Sequence, residues 1–208
     1  MVQIENSKKK SPPSLREILP GIFAFPPNPD SFGGISYLVK SQSGNFMVDV
    51  PEYFHRHLEF IESAGVPDFI FLTHRDDVAE AVSFRKKFGS KLIIHESEES
   101  AIGEADIIFG RNYILSSAEI IHTPGHSPGS STLYLREGQV MFTGDHITAN
   151  RGMPVAEEFS WTYNFGLQLE SAWKLLDFEF EYILAGHGGR WLIPNARDRL
   201  RQFLENHG

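Results

Sequence analysis

The stretch IIHTPGHSPGS, residues 120–130, runs from two branched aliphatic residues into a loop that holds two prolines and two glycines. Ile120-Ile121 reads as the end of a buried strand, and such a loop folds His126 back toward the strand's rim. Working outward, three further segments end an apolar run on a His or an Asp: FLTHRDD (71–77), MFTGDH (141–146) and ILAGHG (183–188). Four loops are therefore expected to meet on one edge of a sheet structure. Together they offer His74, Asp76, Asp77, His122, His126, Asp145, His146 and His187. Neutral imidazoles and carboxylates are the donors that zinc, iron(II) and manganese accept. The chain has no cysteine among its 208 residues, which removes disulfides, thiolate nucleophiles and Cys-zinc sites together. A metal must then rest on His and carboxylate.

The rest of the chain supplies the scaffold. Ile35–Val39 and Phe46–Val50 flank the turn signal Gly44-Asn45 and read as consecutive antiparallel strands. After Pro51, the spacing of Phe54, Leu58 and Ile61 gives one helical face, which Gly65 and Pro67 end. Phe69–Leu72 is a short buried strand leading into His74, Asp77–Phe88 a second helix stopped by Gly89, and Lys91–Ile94 another strand. Short apolar runs at 107–108, 113–115, 120–121, 132–135 and 140–142 form a second β-rich block. Leu169, Ala172, Trp173 and Leu176 then mark a helix, Tyr182–Leu184 a strand, and Ala196, Leu200, Phe203 and Leu204 a terminal helix capped by Asn195. That order fits two sheets packed face to face with helices outside. No composition change marks a boundary, so residues 15–208 are expected to form one domain after a flexible tail, residues 1–14.

Composition narrows the function classes. A formal net charge of -8 leaves no broad basic field for nucleic acid. No apolar stretch approaches the ~20 residues that span a bilayer, and no signal-peptide core follows the start. A soluble, cytoplasmic protein acting on a small molecule is expected; the oligomeric state is not legible. His55-Arg56-His57 has the look of a metal pair, but helical neighbours two apart point about 200° apart and cannot share an ion. His95, at a strand end before an acidic run, reads as a structural hydrogen-bonding residue. Asp49, ending its strand, is a candidate to orient a ligand histidine or to cap a turn.

In this order the four segments resemble the metallo-β-lactamase superfamily, over roughly residues 20–190. HTPGHSPGS is close to that superfamily's HTPGHTPGS, and TGDH and GHG fall where its bridging aspartate and last histidine sit. The resemblance implies an α+β fold, the four-layer αββα sandwich. It makes His126 a ligand of the first site, Asp145 the bridging ligand, His187 a ligand of the second site and His122 a supporting residue, with His146 grouped among the residues around the site. The first motif departs from the pattern. Typical members read HxHxDH, whereas this chain reads HRDDVA from His74, so Asp76 replaces the second His, and Val78 and Ala79 replace an Asp and a His. Val and Ala cannot coordinate. A subgroup that writes THRDDVADH also resembles this chain, and against it Glu80 and Ala81 stand for the displaced Asp-His pair, with the His still missing. One divalent metal, Zn or Fe, on His74, His126 and Asp145 with help from Asp76 is the resulting expectation.

Three functions follow from that ligand set. The first is hydrolysis of a small ester, thioester, lactone, β-lactam-like amide or phosphoester by metal-activated water, with Asp76 or Asp77 as a base. The second is iron(II) dioxygenase chemistry on the same two His and one carboxylate, as the superfamily's persulfide dioxygenase branch, which this chain resembles at those positions, implies. The third is a binding protein whose metal only braces loops. Trp161 and Tyr163, in the aromatic loop after TGDH, lie where superfamily members often build a wall of the substrate cleft, and Asn150 and Arg151 nearby offer polar contacts to an anion.

Overall fold

The structure, a computed structural model, describes residues 15–42, 44–76, 78, 80–115 and 118–207. The expected tail, residues 1–14, lies outside them.

Seven strands form the first sheet in chain order: β1 (Arg16–Leu19), β2 (Ile22–Ala24), β3 (Tyr37–Val39), β4 (Phe46–Val48), β5 (Phe69–Phe71), β6 (Lys91–His95) and β7 (Ile107–Phe109). The first four pair antiparallel and β4 to β7 pair parallel. Parallel neighbours need a crossover, and the helices α1 (His55–Ala64) and α2 (Ala81–Phe88) supply two of them. Because β4, β5 and β6 run the same way, the residues after them, Asp49, Leu72 to His74 and Glu96 onward, emerge at one end of the sheet.

The second sheet holds β8 (Tyr113–Leu115), β9 (Ala118–His122), β10 (Ser131–Leu135), β11 (Val140–Gly144), β14 (Tyr182–Ala185) and β15 (Leu192–Pro194), in the order β15-β14-β11-β10-β9-β8. A small hairpin, β12 (Thr148–Asn150) with β13 (Met153–Val155), stands between β11 and α3 (Phe165–Leu175), and α4 (Ala196–His207) ends the chain. Only β11 and β14 pair parallel in this sheet, joined across α3.

Three apolar layers hold the sandwich. Tyr37, Phe46, Val48, Phe71 and Ile93 of the first sheet meet Ile120, Leu133, Phe142 and Leu184 of the second. On the outer face of the first sheet, Leu38, Met47, Ile70 and Leu92 pack under Ile61 and Phe84 from α1 and α2. On the outer face of the second, Met141 and Ile183 pack under Ala172 and Leu175 of α3 and Leu200 and Leu204 of α4. Buried residues on both faces of β4, β5, β10 and β11 explain why these strands read as unbroken apolar runs. The architecture is the four-layer αββα sandwich.

The second helix starts at Ala81, four residues later than expected, with Glu80 accepting from Ser83 Oγ at 2.5 Å across the first turn. Strands β1, β2, β12, β13 and β15 were not legible. Each is three or four residues long, and β13 and β15 contain a proline. Among the described residues, no helix is long and apolar enough to cross a membrane.

Candidate metal centre

His74 leaves the end of β5 beside Asp49, which leaves the end of the neighbouring parallel strand β4. The buried Asp49 carboxylate accepts from the backbone N–H of Thr73 at 2.9 Å and from Thr73 Oγ1 at 2.9 Å, and the same Oγ1 lies 2.9 Å from His74 Nδ1. A threonine hydroxyl has one proton. With Asp49 ionised that proton goes to the carboxylate, so Oγ1 accepts from His74 Nδ1–H. The tautomer of His74 follows: Nε2 carries the lone pair. Gly144 makes room for this arrangement, since a Cβ there would lie 2.2 Å from Thr73 Oγ1, and its φ of +51° suits glycine.

His74 Nε2 lies 3.7 Å from Asp145 Oδ2 and 3.9 Å from Asp76 Oδ2, and His126 Nε2 lies 3.3 Å from Asp76 Oδ2. The rings of His74 and His126 meet edge to face at 5.0 Å and 87°. One donor atom from each of His74, His126 and Asp145 lies within 4.8 Å of the other two. Ligands of a tetrahedral ion at bonds of about 2.0–2.1 Å sit roughly 3.3 Å apart, so this spacing fits a divalent cation after a small contraction. Three separate loops supply the donors: Asp145 follows β11, His126 the loop after β9, and His74 the end of β5.

The electrostatics favour a cation. Burial lowers the His74 pKa to about 4, so the ring is neutral at neutral pH, as a ligand must be. Burial pushes the Asp145 carboxyl up, but its hydrogen bond with His187 and the nearby His74, His187 and His126 outweigh that and hold it below the usual range. Asp76, partly exposed, is held low chiefly by its hydrogen bond with His126. Burial raises Asp49 to about 7 despite the two donations from Thr73, and the charge on Asp145 adds to the rise.

His187 is engaged at both ring nitrogens: Nδ1 lies 2.6 Å from Asp145 Oδ1 and Nε2 lies 3.2 Å from the Ser31 carbonyl. In this rotamer it supports Asp145 and braces the first sheet's 29–31 turn against the second. His122 Nε2 meets the Pro128 carbonyl at 3.0 Å, and its ring stacks on His95 at 3.9 Å, so it ties together the loop that carries His126. His95 Nδ1 in turn accepts from the Ser97 N–H. His146 is buried and its pKa falls to about 3 through burial; its carbonyl accepts from Gln168 Nε2 on α3. Trp161 and Tyr163 are exposed, Trp161 stacks on Phe159 at 5.0 Å, and the Tyr163 N–H donates to the His126 carbonyl, which seats this aromatic loop next to the ligand loop. Asp77 lies outside the described residues. Val78, in the place of a second-site carboxylate, is half-buried and offers no donor. His57 is buried with Nδ1 on the Glu52 carbonyl, while His55 is exposed beside Glu59, so the two do not share a site.

Two residues at this edge escaped the sequence reading. Thr73 was legible only as the last residue before His74. Glu98 gave no signal, being one acid in the run Glu96 to Glu99, yet it is the fully buried one.

Residues 114–187 match the family model described as Metallo-beta-lactamase superfamily, a span that includes His122, His126, Asp145 and His187 and leaves out His74. A hydroxyacylglutathione hydrolase of Brucella ovis is 31% identical over 49% of this chain and 42% of its own length, so the match spans less than half of that relative. Among solved structures, the DIM-1 metallo-beta-lactamase superposes with a TM-score of 0.73 at 15% identity, over 95% of this chain and 100% of its own. TTHA1623 in a di-iron-bound form superposes with a TM-score of 0.62 at 22% identity, over 76% of this chain and 88% of its own. At these identities the structural likeness speaks for the fold.

Proposed function

We propose that the chain is a metal-dependent hydrolase of the metallo-β-lactamase superfamily that uses one divalent cation, zinc or iron, against a small thioester or related acyl substrate. The observation that carries this reading is the meeting of His74, His126 and Asp145 from three loops, with His74 Nδ1 held by Thr73 Oγ1, itself bonded to Asp49. The partial likeness to a hydroxyacylglutathione hydrolase supports thioesters as the first class to test.

When bound, a divalent cation supplies Lewis acidity, polarising a carbonyl or phosphoryl oxygen and bringing the pKa of a water toward about 7. The chain's own groups do the remaining work. His74, His126 and Asp145 would hold the ion, and Asp76 has the reach to be a fourth donor or to take the proton from the attacking water. Its depressed pKa, set chiefly by the hydrogen bond with His126, keeps it ionised, which suits the donor role better than the base role. His187, hydrogen-bonded to Asp145 Oδ1, fixes that carboxylate so that Oδ2 faces His74. The exposed rings of Trp161 and Tyr163 offer flat apolar surface to the substrate beside His126. A single ion is proposed because the second-site His of the first motif is missing in either alignment, and His187 is engaged by Asp145 and Ser31.

The test is metal content and turnover together. Protein purified without added metal is expected to carry close to one zinc or iron per chain, and His126→Ala to lose both the metal and thioester hydrolysis by orders of magnitude. Two metals per chain would overturn the single-ion reading. Turnover untouched by His126→Ala would overturn the site, and no hydrolysis across thioesters, lactones and phosphoesters would overturn the reaction. The same two-histidine, one-carboxylate set is also the ligand set of iron(II) oxygenases, and oxygen consumption by the iron-loaded protein in place of hydrolysis would select that second reading.

A further inference from the structure

Glu98 has no exposed surface, and it stands where two of the ligand loops meet. It lies on the 3-10 turn after β6, Glu96–Ala101. Its Oε1 accepts from Ser127 Oγ at 2.7 Å and from the Gly129 N–H at 2.5 Å, the first residue being His126's immediate neighbour. Its Oε2 lies 3.6 Å from Nε of Arg75, the residue between His74 and Asp76. Close approach is built into the loop: a Cβ on Gly129 would lie 2.4 Å from Glu98 Cγ, so only glycine fits beside this carboxylate.

A buried carboxylate loses its hydration and needs both oxygens answered to recover it. Oε1 is answered twice by hydrogen bonds; among the described residues, Oε2 has no hydrogen bond and faces the guanidinium at ion-pair distance. If the group only sealed the loop, a neutral acceptor of the same shape would serve the Ser127 and Gly129 donors equally well. The negative charge is needed on the other side, where Arg75 must be drawn in. Glu98 therefore couples the backbone that carries His74 and Asp76 to the backbone that carries His126. The gap between those loops is the gap across which His126 Nε2 and Asp76 Oδ2 stand 3.3 Å apart.

We propose that Glu98 is a positioning residue of the metal centre, setting the spacing of the His74 and His126 loops through Arg75 on one side and through Ser127 and Gly129 on the other. The inference rests on the metal-binding part of the proposed function.

The test uses the full chain, freed of metal, and zinc affinity measured by competition with a chromophoric chelator. Glu98→Gln keeps an oxygen for Ser127 and Gly129 but removes the charge that faces Arg75. It is expected to weaken zinc binding by about ten-fold or more, in the range seen when outer-shell partners of metal ligands are altered, with the metal-free protein melting near wild type. Arg75→Met is expected to weaken it similarly, and the double variant to lose little beyond either single change, because both remove one interaction. The d-d absorption of the cobalt(II)-loaded protein should shift in both single variants, reporting altered ligand geometry independently of affinity. Wild-type affinity in Glu98→Gln, or losses from the two single changes that simply add, would overturn the proposal. So would a Glu98→Gln protein whose metal-free melting temperature falls while its affinity holds, since that is the mark of a packing role. Wild-type protein that binds no zinc, manganese or iron would instead sink the metal-binding reading itself.

Discussion

Replacing Thr73 by valine changes one hydroxyl to a methyl of almost the same size at the point where Asp49 and His74 meet. Two hydrogen bonds disappear from a buried place: Oγ1–H to the Asp49 carboxylate, and His74 Nδ1–H to Oγ1. A hydrogen bond to a charged group contributes about 1.5–3 kcal/mol, and a buried donor left without its acceptor costs about 1–3 kcal/mol. The added methyl offsets roughly 0.8 kcal/mol of this by apolar burial. Thr73→Val should therefore destabilise the metal-free protein by about 2–5 kcal/mol. It should also free the His74 ring to change tautomer, weakening zinc binding by about 10–100-fold. Urea unfolding of the metal-free protein gives the first number and chelator competition the second. Thr73→Ser is the control, because it keeps the hydroxyl and loses only a methyl, at about 1 kcal/mol. If valine and serine variants agree within about 1 kcal/mol in stability and two-fold in affinity, the relay from Asp49 through Thr73 does not hold His74.

Burial holds His74 at about 4 and His146 at about 3 in the folded chain, below the 6.5 of an unperturbed histidine, so the unfolded chain takes up these protons first as pH falls. Their contribution is complete above about pH 6.5 and is lost toward pH 3–4, and the melting temperature of metal-free His146→Phe should fall less steeply over that window than wild type. Asp49, raised from 3.8 to about 7, acts with the opposite sign: its contribution is complete below pH 3.8 and lost as pH rises through 7, so metal-free Asp49→Asn should lose less stability between pH 5 and 8 than wild type. Gly144→Ala places a Cβ 2.2 Å from Thr73 Oγ1 at a φ of +51°; strain and overpacking of about 2–4 kcal/mol are expected in urea unfolding, together with weakened zinc binding.

Strand patterning made the sandwich legible because its central strands are buried on both faces and read as unbroken apolar runs, as at Phe69–Phe71 and Val140–Gly144. Short edge elements left no such trace. Met153–Val155 and Leu192–Pro194 each place a proline in three residues, which sequence reading takes for loop. The second helix was expected from Asp77 to Phe88, and its stop at Gly89 was legible; its start was not, since the described residues before Ala81 are not helical. His74 and Asp145 were readable because each follows an apolar run, and His126 because it sits in a Pro- and Gly-rich loop after one; the three lie close together at one edge. The groups that orient them were harder to see. Thr73 meets Asp49, and Glu98 meets Arg75, Ser127 and Gly129, all distant in sequence, and nothing in their local pattern records those partners.

The candidate ligands straddle the two sheets: His74 and Asp76 extend from the first, His126 and Asp145 from the second. Direct backbone bonds already stitch that border, from Ser131 N–H to the Thr73 carbonyl at 2.9 Å and from Ile35 N–H to the Gly186 carbonyl at 2.7 Å. An ion seated there would act as a rivet between the two halves of the chain, and its binding energy would add to the resistance of that border against opening. Chelation should then quicken amide exchange first at Ile35 and Ser131, the two donors across that border, well before the sheets' interiors respond, so the fold's weakest joint and its chemical centre would coincide.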